Sequence, residues 1–261
     1  MKKTMYCIAV TVAVISLFGT NLVASDKDDK IESDIKNSYV FRSYLQNDDI
    51  NISSVDGVVT LTGSVSEESG KSLAGDMVTS LAGVKEVHNN LEIKGNISDA
   101  YSDAWLITKV KTTLLFHRNV NATATEVLSE GGIITLRGNA DSEAQKSLTA
   151  EYAKDVKGVK SVNNEIVVLN PIMKSNKKKM GQKLETITEW IDDASITALV
   201  KTTLLYHAST NAIQTNVETK EGVVTLGGKA GNDAEKALVS KFANDVHGVK
   251  DVVNNMEVMD K

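Results

Sequence analysis

A single cysteine, Cys7, and a single proline, Pro171, stand in 261 residues. With one cysteine no disulfide can form inside the chain, and a zinc site built on paired thiolates is excluded. Proline, the residue that most often punctuates loops, is confined to one place, which marks that place as a boundary. Aromatic residues make up only 5% of the chain. The four histidines are His88, His117, His207 and His247, and none falls in an H-x-H or H-E-x-x-H pattern. No glycine-rich stretch carries the Lys-Ser/Thr that a phosphate loop needs, so nucleotide chemistry has no signature here. The formal net charge is −5, which lacks the basic footprint of a nucleic-acid binder. The longest apolar run, Ile8 to Phe18, is too short to span a bilayer.

That run has another use. Lys2 and Lys3 precede it and Val23-Ala24-Ser25 follows it, the three-part layout of a secretory signal. Residues 1–25 are therefore read as a signal peptide, and the expected location of the mature chain is the periplasm. Cys7 lies at the start of the apolar run, where no lipid-bearing cysteine would sit. Cleavage removes it and leaves a chain without thiols.

Three copies of one heptad dominate the remainder: Gly57-Val58-Val59-Thr60-Leu61-Thr62-Gly63, Gly132-Ile133-Ile134-Thr135-Leu136-Arg137-Gly138 and Gly222-Val223-Val224-Thr225-Leu226-Gly227-Gly228. Each reads as a short strand entered through a tight turn at its first glycine and closed by its second. Aligned on the heptad, the copies need no internal gap. Lys111-Thr112-Thr113-Leu114-Leu115 meets Lys201-Thr202-Thr203-Leu204-Leu205, and Gly158-Val159-Lys160 meets Gly83-Val84-Lys85 and Gly248-Val249-Lys250.

Within each copy the periodicities follow one order. Ile107, Val110 and Leu114 recur at helical spacing after Asp103, a candidate N-cap; Ile196, Val200 and Leu204 follow Asp192 and Asp193, and Ile31, Ile35 and Tyr39 form the first copy's version. A strand around Ile52, Val127 or Val217 precedes the heptad strand. A second helix carries Ala144, Leu148, Tyr152 and Val156, and Gly158 ends it. Val162, Asn164, Ile166 and Val168 alternate as a third strand. The order α-β-β-α-β predicts an α+β fold of three tandem two-layer domains, each a three-stranded sheet with two helices on one face. The expected boundaries are 27–95, 101–170 and 192–260, with 171–191 as a basic linker leading into a helix. Leu136, Leu148 and Ile166 should share the core. Asn89, Asn164 and Asn254, which occupy an apolar column, are expected to satisfy the backbone of a turn or neighbouring strand.

The element order, the G-V-V-T-L-x-G strand and the G-V-K-x-V-x-N ending resemble the BON domain family, in three copies that cover nearly all of the mature chain. A signal peptide followed by such domains is similar to a group of osmotically inducible periplasmic proteins of bacteria. The resemblance implies a non-catalytic periplasmic module linked to envelope or osmotic stress that associates peripherally with phospholipid surfaces. Its alternatives are a ligand- or ion-sensing module and a scaffold that binds other envelope proteins through exposed strand edges.

The residues offer candidates for each reading. At 100° per residue Trp105, Lys109, Thr112 and Phe116 fall on one side of their helix, opposite Val110 and Leu114. An outward stripe of Trp, Lys and Phe suits a headgroup boundary, and it equally suits packing against a neighbouring repeat. The equivalents in the third copy are Ser195, Leu199, Thr202 and Tyr206. Lys174, Lys177, Lys178, Lys179 and Lys183 in the linker would each add up to about 1 kcal/mol near an anionic leaflet. Trp190 is expected to stand exposed beyond them. Asp56 and Glu221 in the turns are the oxygen ligands an ion sensor would use, although scattered single carboxylates predict no tight cation site. His117 and His207 share a column at the end of the first helix, where a cation complements the helix dipole. No catalytic constellation is present, so no enzyme, no metal and no cofactor is expected. The partners expected are an anionic phospholipid surface or other envelope proteins, and no nucleic acid.

Overall fold

The computed structural model describes residues 26–94, 103–169, 190–210 and 214–259. The signal segment and the lysine run of the linker lie outside the described residues. In the first repeat α1 spans Asp26–Asn37, α2 Tyr39–Ser43, β1 Asp49–Val55, β2 Val58–Val65, α3 Glu68–Thr79 and β3 Glu86–Ile93. The second holds α4 Asp103–Phe116, β4 Thr125–Glu130, β5 Ile133–Ala140, α5 Glu143–Lys154, β6 Ser161–Asn164 and β7 Val167–Val168. The third holds α6 Asp193–Tyr206, β8 Thr215–Lys220, β9 Val223–Ala230, α7 Asp233–Asn244, β10 Asp251–Asn254 and β11 Glu257–Val258.

The heptad strand is the middle of every sheet. It pairs antiparallel with the strand before it, through the tight turn, and parallel with the strand after it. A helix crossing from the second strand to the third is what makes that last pairing parallel. β3 is continuous, whereas the third strand of the other repeats is interrupted between β6 and β7 and between β10 and β11. The helices cover one face: Leu61, Leu136 and Leu226 are buried beneath them, while Thr62, Arg137 and Lys229 on the alternate positions are exposed. The fold is the expected mixed α+β one, with three separate sheets.

Local details depart from the sequence reading. The second heptad glycine lies inside its strand, which runs on to Val65, Ala140 or Ala230. At Gly138 φ is +127°, and a Cβ there would collide with the carbonyl oxygen of Ala124, the residue just before the partner strand β4. Close approach of two backbones, then, and not strand ending, requires glycine at this point. Leu136 and Ile166 are buried as expected, but Leu148 is only partly buried against the same cluster.

The first helix of the first repeat is broken in two. Tyr39 N–H donates to Asp192 Oδ2 (2.9 Å) and Val40 N–H to Ser195 Oγ (3.1 Å). These amides therefore serve as a junction to the third repeat instead of continuing α1. Ser38 caps the new helix by accepting from Phe41 N–H, and Val40, not Tyr39, takes the core position after Ile35. One apolar cluster joins all three repeats. At its centre lies α6, buried at Ser195, Ile196, Leu199, Val200, Thr202, Leu204 and Tyr206 alike. It meets its own sheet on one side and α2, α3 and α4 on the other.

Candidate functional site

Each hairpin turn is tied to its first helix by an aspartate. Asp103 accepts from Ser129 Oγ (2.5 Å), Gly131 N–H (2.8 Å) and Gly132 N–H (3.0 Å). Asp28 holds the amides of Asp56 and Gly57, and Asp193 those of Glu221 and Gly222. The Ser129 hydroxyl and the two amides hold the Asp103 carboxyl below the usual carboxylate range. Asp103 is thus the first helical residue and a turn anchor, where an N-cap was expected; Asp192 is the residue that caps α6. The three aspartates share one aligned column, and that recurrence is the sequence signal of the anchor.

The same turns bear on ion sensing. Asp56 and Glu221 sit at φ 53°, where the second repeat has Gly131 at 59°. The backbone carbonyls of these three residues accept the ammonium groups of Lys85, Lys250 and Lys160 at 2.8, 2.9 and 2.8 Å. In each turn a lysine thus occupies the backbone carbonyl beside these residues. Among the described residues no group of three or more His, Cys, Asp or Glu could hold a metal ion.

Asn89, Asn164 and Asn254 act as braces between layers. Their Nδ2 atoms donate to Lys71 O, Lys146 O and Lys236 O at 2.7, 2.9 and 2.9 Å, and their Oδ1 atoms accept from the amide two residues on. The Oδ1 contacts are the local backbone satisfaction expected of a turn, and the Nδ2 contacts add a partner that was not expected, a carbonyl of the helix that crosses to the third strand.

The Trp105–Lys109–Phe116 stripe turns inward. Phe116 is 1% exposed and meets Tyr44 of the first repeat edge-on, ring centres 5.2 Å apart. Lys109 Nζ lies between two rings, 4.1 Å from the centre of Trp105 and 4.4 Å from that of Tyr206. Burial lowers the Lys109 pKa, opposed by Glu68. The equivalents Ser195, Leu199, Thr202 and Tyr206 are also buried. The expected outward face is therefore a seam between repeats, because α6 needs apolar cover on the side its own sheet does not provide. Trp190, by contrast, is 79% exposed.

The second and third repeats meet through matching surfaces. His117 and Val246 form one antiparallel bridge, and Val156 and His207 form its mirror. Arg118 N–H donates to Asp245 O while Ala208 N–H donates to Asp155 O; His247 N–H donates to Phe116 O while Lys157 N–H donates to Tyr206 O. Residues 90 apart swap roles, as across a two-fold axis. On that axis His117 Nε2 and His207 Nε2 stand 3.1 Å apart. His117 stacks on Tyr152, and His207 stacks on Phe242. His207 Nδ1 lies 2.9 Å from Asp155 Oδ2, and Tyr152 donates its hydroxyl proton to Asp245. Both histidines are buried, at 1% and 0% exposure. Burial, and then the adjacent His207, push the His117 pKa well below 6.5. The expected helix-end cation is corrected: both rings are sealed in an interface between repeats, and at His117 burial opposes the charged form.

A model of the BON domain matches residues 27–95, 102–170 and 192–260. The chain belongs to the BON domain family. The chain is 28% identical to osmotically-inducible protein Y of Escherichia coli over 199 residues, which covers 76% of this chain and 92% of that protein. It is 36% identical to the outer membrane lipoprotein DolP of Haemophilus influenzae over 115 residues, or 43% of this chain and 59% of that one. Among solved structures, the CdsD structural protein of the type III secretion system of Chlamydia trachomatis is 18% identical, with 88% of this chain and 92% of that chain covered and a TM-score of 0.24.

Between the first and third BON repeats an open cleft of about 650 Å³ is lined by Asp76, Lys201, Leu205, Asn216 and Glu218. Burial raises the Asp76 pKa, opposed by Lys201. Among the described residues no BON helix is long and apolar enough to cross a membrane.

Proposed function

We propose that this chain is a non-catalytic periplasmic protein of envelope or osmotic stress that associates peripherally with anionic phospholipid surfaces. Family membership supports the setting, since relatives bear the names osmotically-inducible protein and outer membrane lipoprotein. One observation supports Trp190 as the contact: Trp105 is partly buried against the core cluster and lies under Lys109, whereas Trp190 is 79% exposed. Lys174, Lys177, Lys178, Lys179 and Lys183 precede it in the chain. An amphipathic ring beside a run of ammonium groups gains both from the headgroup boundary and from the negative leaflet. The interaction is electrostatic in large part and weakens with salt.

Flotation with neutral and anionic vesicles tests this reading. Binding should require anionic lipid and fall on raising the salt. Trp190→Ala and the triple change of Lys177, Lys178 and Lys179 to Glu should each weaken it about tenfold or more. A chain that fails to float with anionic vesicles, or floats equally well with both sets of changes, overturns the proposal.

A further inference from the structure

The histidine pair on the pseudo-two-fold axis has its protons assigned by its neighbours. Asp155 Oδ2 can only accept, so His207 carries its proton on Nδ1. Nε2 of a neutral His207 is then an acceptor, and the 3.1 Å contact is made by the Nε2–H of His117. This leaves His117 Nδ1 bare. It is buried without a hydrogen-bond partner, with Asp245 Oδ2 3.7 Å away. A lone pair facing a carboxylate is an arrangement that one added proton would relieve.

A second added proton has no place. Two N–H groups pointed at one another across 3.1 Å would bring their hydrogens to about 1 Å, and two imidazolium charges would face each other in a sealed apolar setting. Other groups do not compensate. Asp245 is already engaged by Tyr152, and Asp155 by Ser209 as well as by His207. The charged groups of α7 and its following turn, Lys241 and His247, add positive potential, and Arg118 is bound to the carbonyls of Val249 and Asn244.

We propose that this pair is an acid-released latch: the closed interface between the second and third repeats accepts at most one extra proton, the opened interface two, and acidification therefore opens it. The sign follows from linkage, because the state that binds more protons gains as pH falls. Free imidazoles take up their protons near pH 6.5. Below that value the closed-to-open ratio drops by at least about tenfold per pH unit when one proton separates the states, and about a hundredfold when two do. The window from pH 6.5 to 5 lies above ordinary carboxylate titration.

Amide hydrogen exchange on the full chain reads the latch directly. The reporters are Arg118 and Ala208, whose N–H groups cross the interface to Asp245 O and Asp155 O; Leu61, buried in the first sheet, is the control. After correction for intrinsic exchange, opening at Arg118 and Ala208 should rise at least tenfold from pH 6.5 to pH 5, with Leu61 unchanged. Replacing one partner by a ring of similar shape, His117→Phe, should keep the stack on Tyr152 and reduce the rise to less than about threefold. His247→Gln should leave it intact. Equal protection across this range in the wild-type chain overturns the proposal without recourse to any variant. A rise shared by all three sheets, or one abolished by His247→Gln, overturns it as well.

Discussion

Truncating Trp105 to alanine separates a seam between repeats from a lipid-facing stripe. Trp105 is partly buried, and its ring lies against Lys109, which is itself wedged against Tyr206. With about two-thirds or more of a tryptophan's roughly 200 Å² covered, the lost burial is about 130 Å² or more, or about 3 kcal/mol at 25 cal/mol per Å². The cation–π contact adds about 0.5–1 kcal/mol. Lys109 keeps its contact with Tyr206, so the lysine is not stranded, and the total loss is about 4 kcal/mol. For a chain of this size that is a fall in Tm of about 8–16 °C. Melting and vesicle flotation should be measured on the same variant. The expected outcome is a depressed Tm with flotation unchanged. An unaltered Tm with flotation lost would place Trp105 on lipid and refute the seam.

Two further outcomes test how the repeats are held together. Gly138→Ala should cost at least about 3 kcal/mol in urea denaturation, since left-handed strain of about 1–2 kcal/mol is joined by separation of β4 from β5 and at least one lost strand hydrogen bond. Gly131→Ala should cost no more than about 1–2 kcal/mol, because φ there is +59° and nothing lies within 4 Å of the added carbon; equal losses at the two glycines would show that the close backbone approach is not what matters. Asp103→Asn should destabilise the chain at pH 7. Its carboxyl titrates below the usual range in the folded chain, so the stability it confers is present above about pH 4 and is lost as pH falls from there through the lowered folded-state pKa; the gap between wild type and variant should narrow steadily as pH falls below about 4, and a constant difference would argue against a charged anchor.

Much of the architecture was legible because it depends on short-range chemistry repeated three times. Glycines at Gly57, Gly132 and Gly222 demand a turn of positive φ. The apolar alternation of the heptad demands a strand with one buried face. The four-residue spacing of Leu148 and Tyr152 demands a helix laid across it. Such features depend on neighbours within a few residues, and repetition at constant spacing removes the ambiguity of any single copy. The family resemblance rests on the same local patterns. What only the tertiary structure decided is which helix faces meet solvent. The outward stripe of α4 was drawn from helical geometry alone, and geometry cannot tell water from another repeat: Phe116 meets Tyr44, and Lys109 meets Tyr206, across separations in sequence that no periodicity records. The break at Ser38 likewise answers to Asp192 and Ser195 in another repeat. The histidine column was visible as a column, but its burial follows from two repeats meeting across a pseudo-two-fold axis. That symmetry turns a pair of helix-end imidazoles into neighbours 3.1 Å apart, and their chemistry follows from the meeting and not from either residue alone.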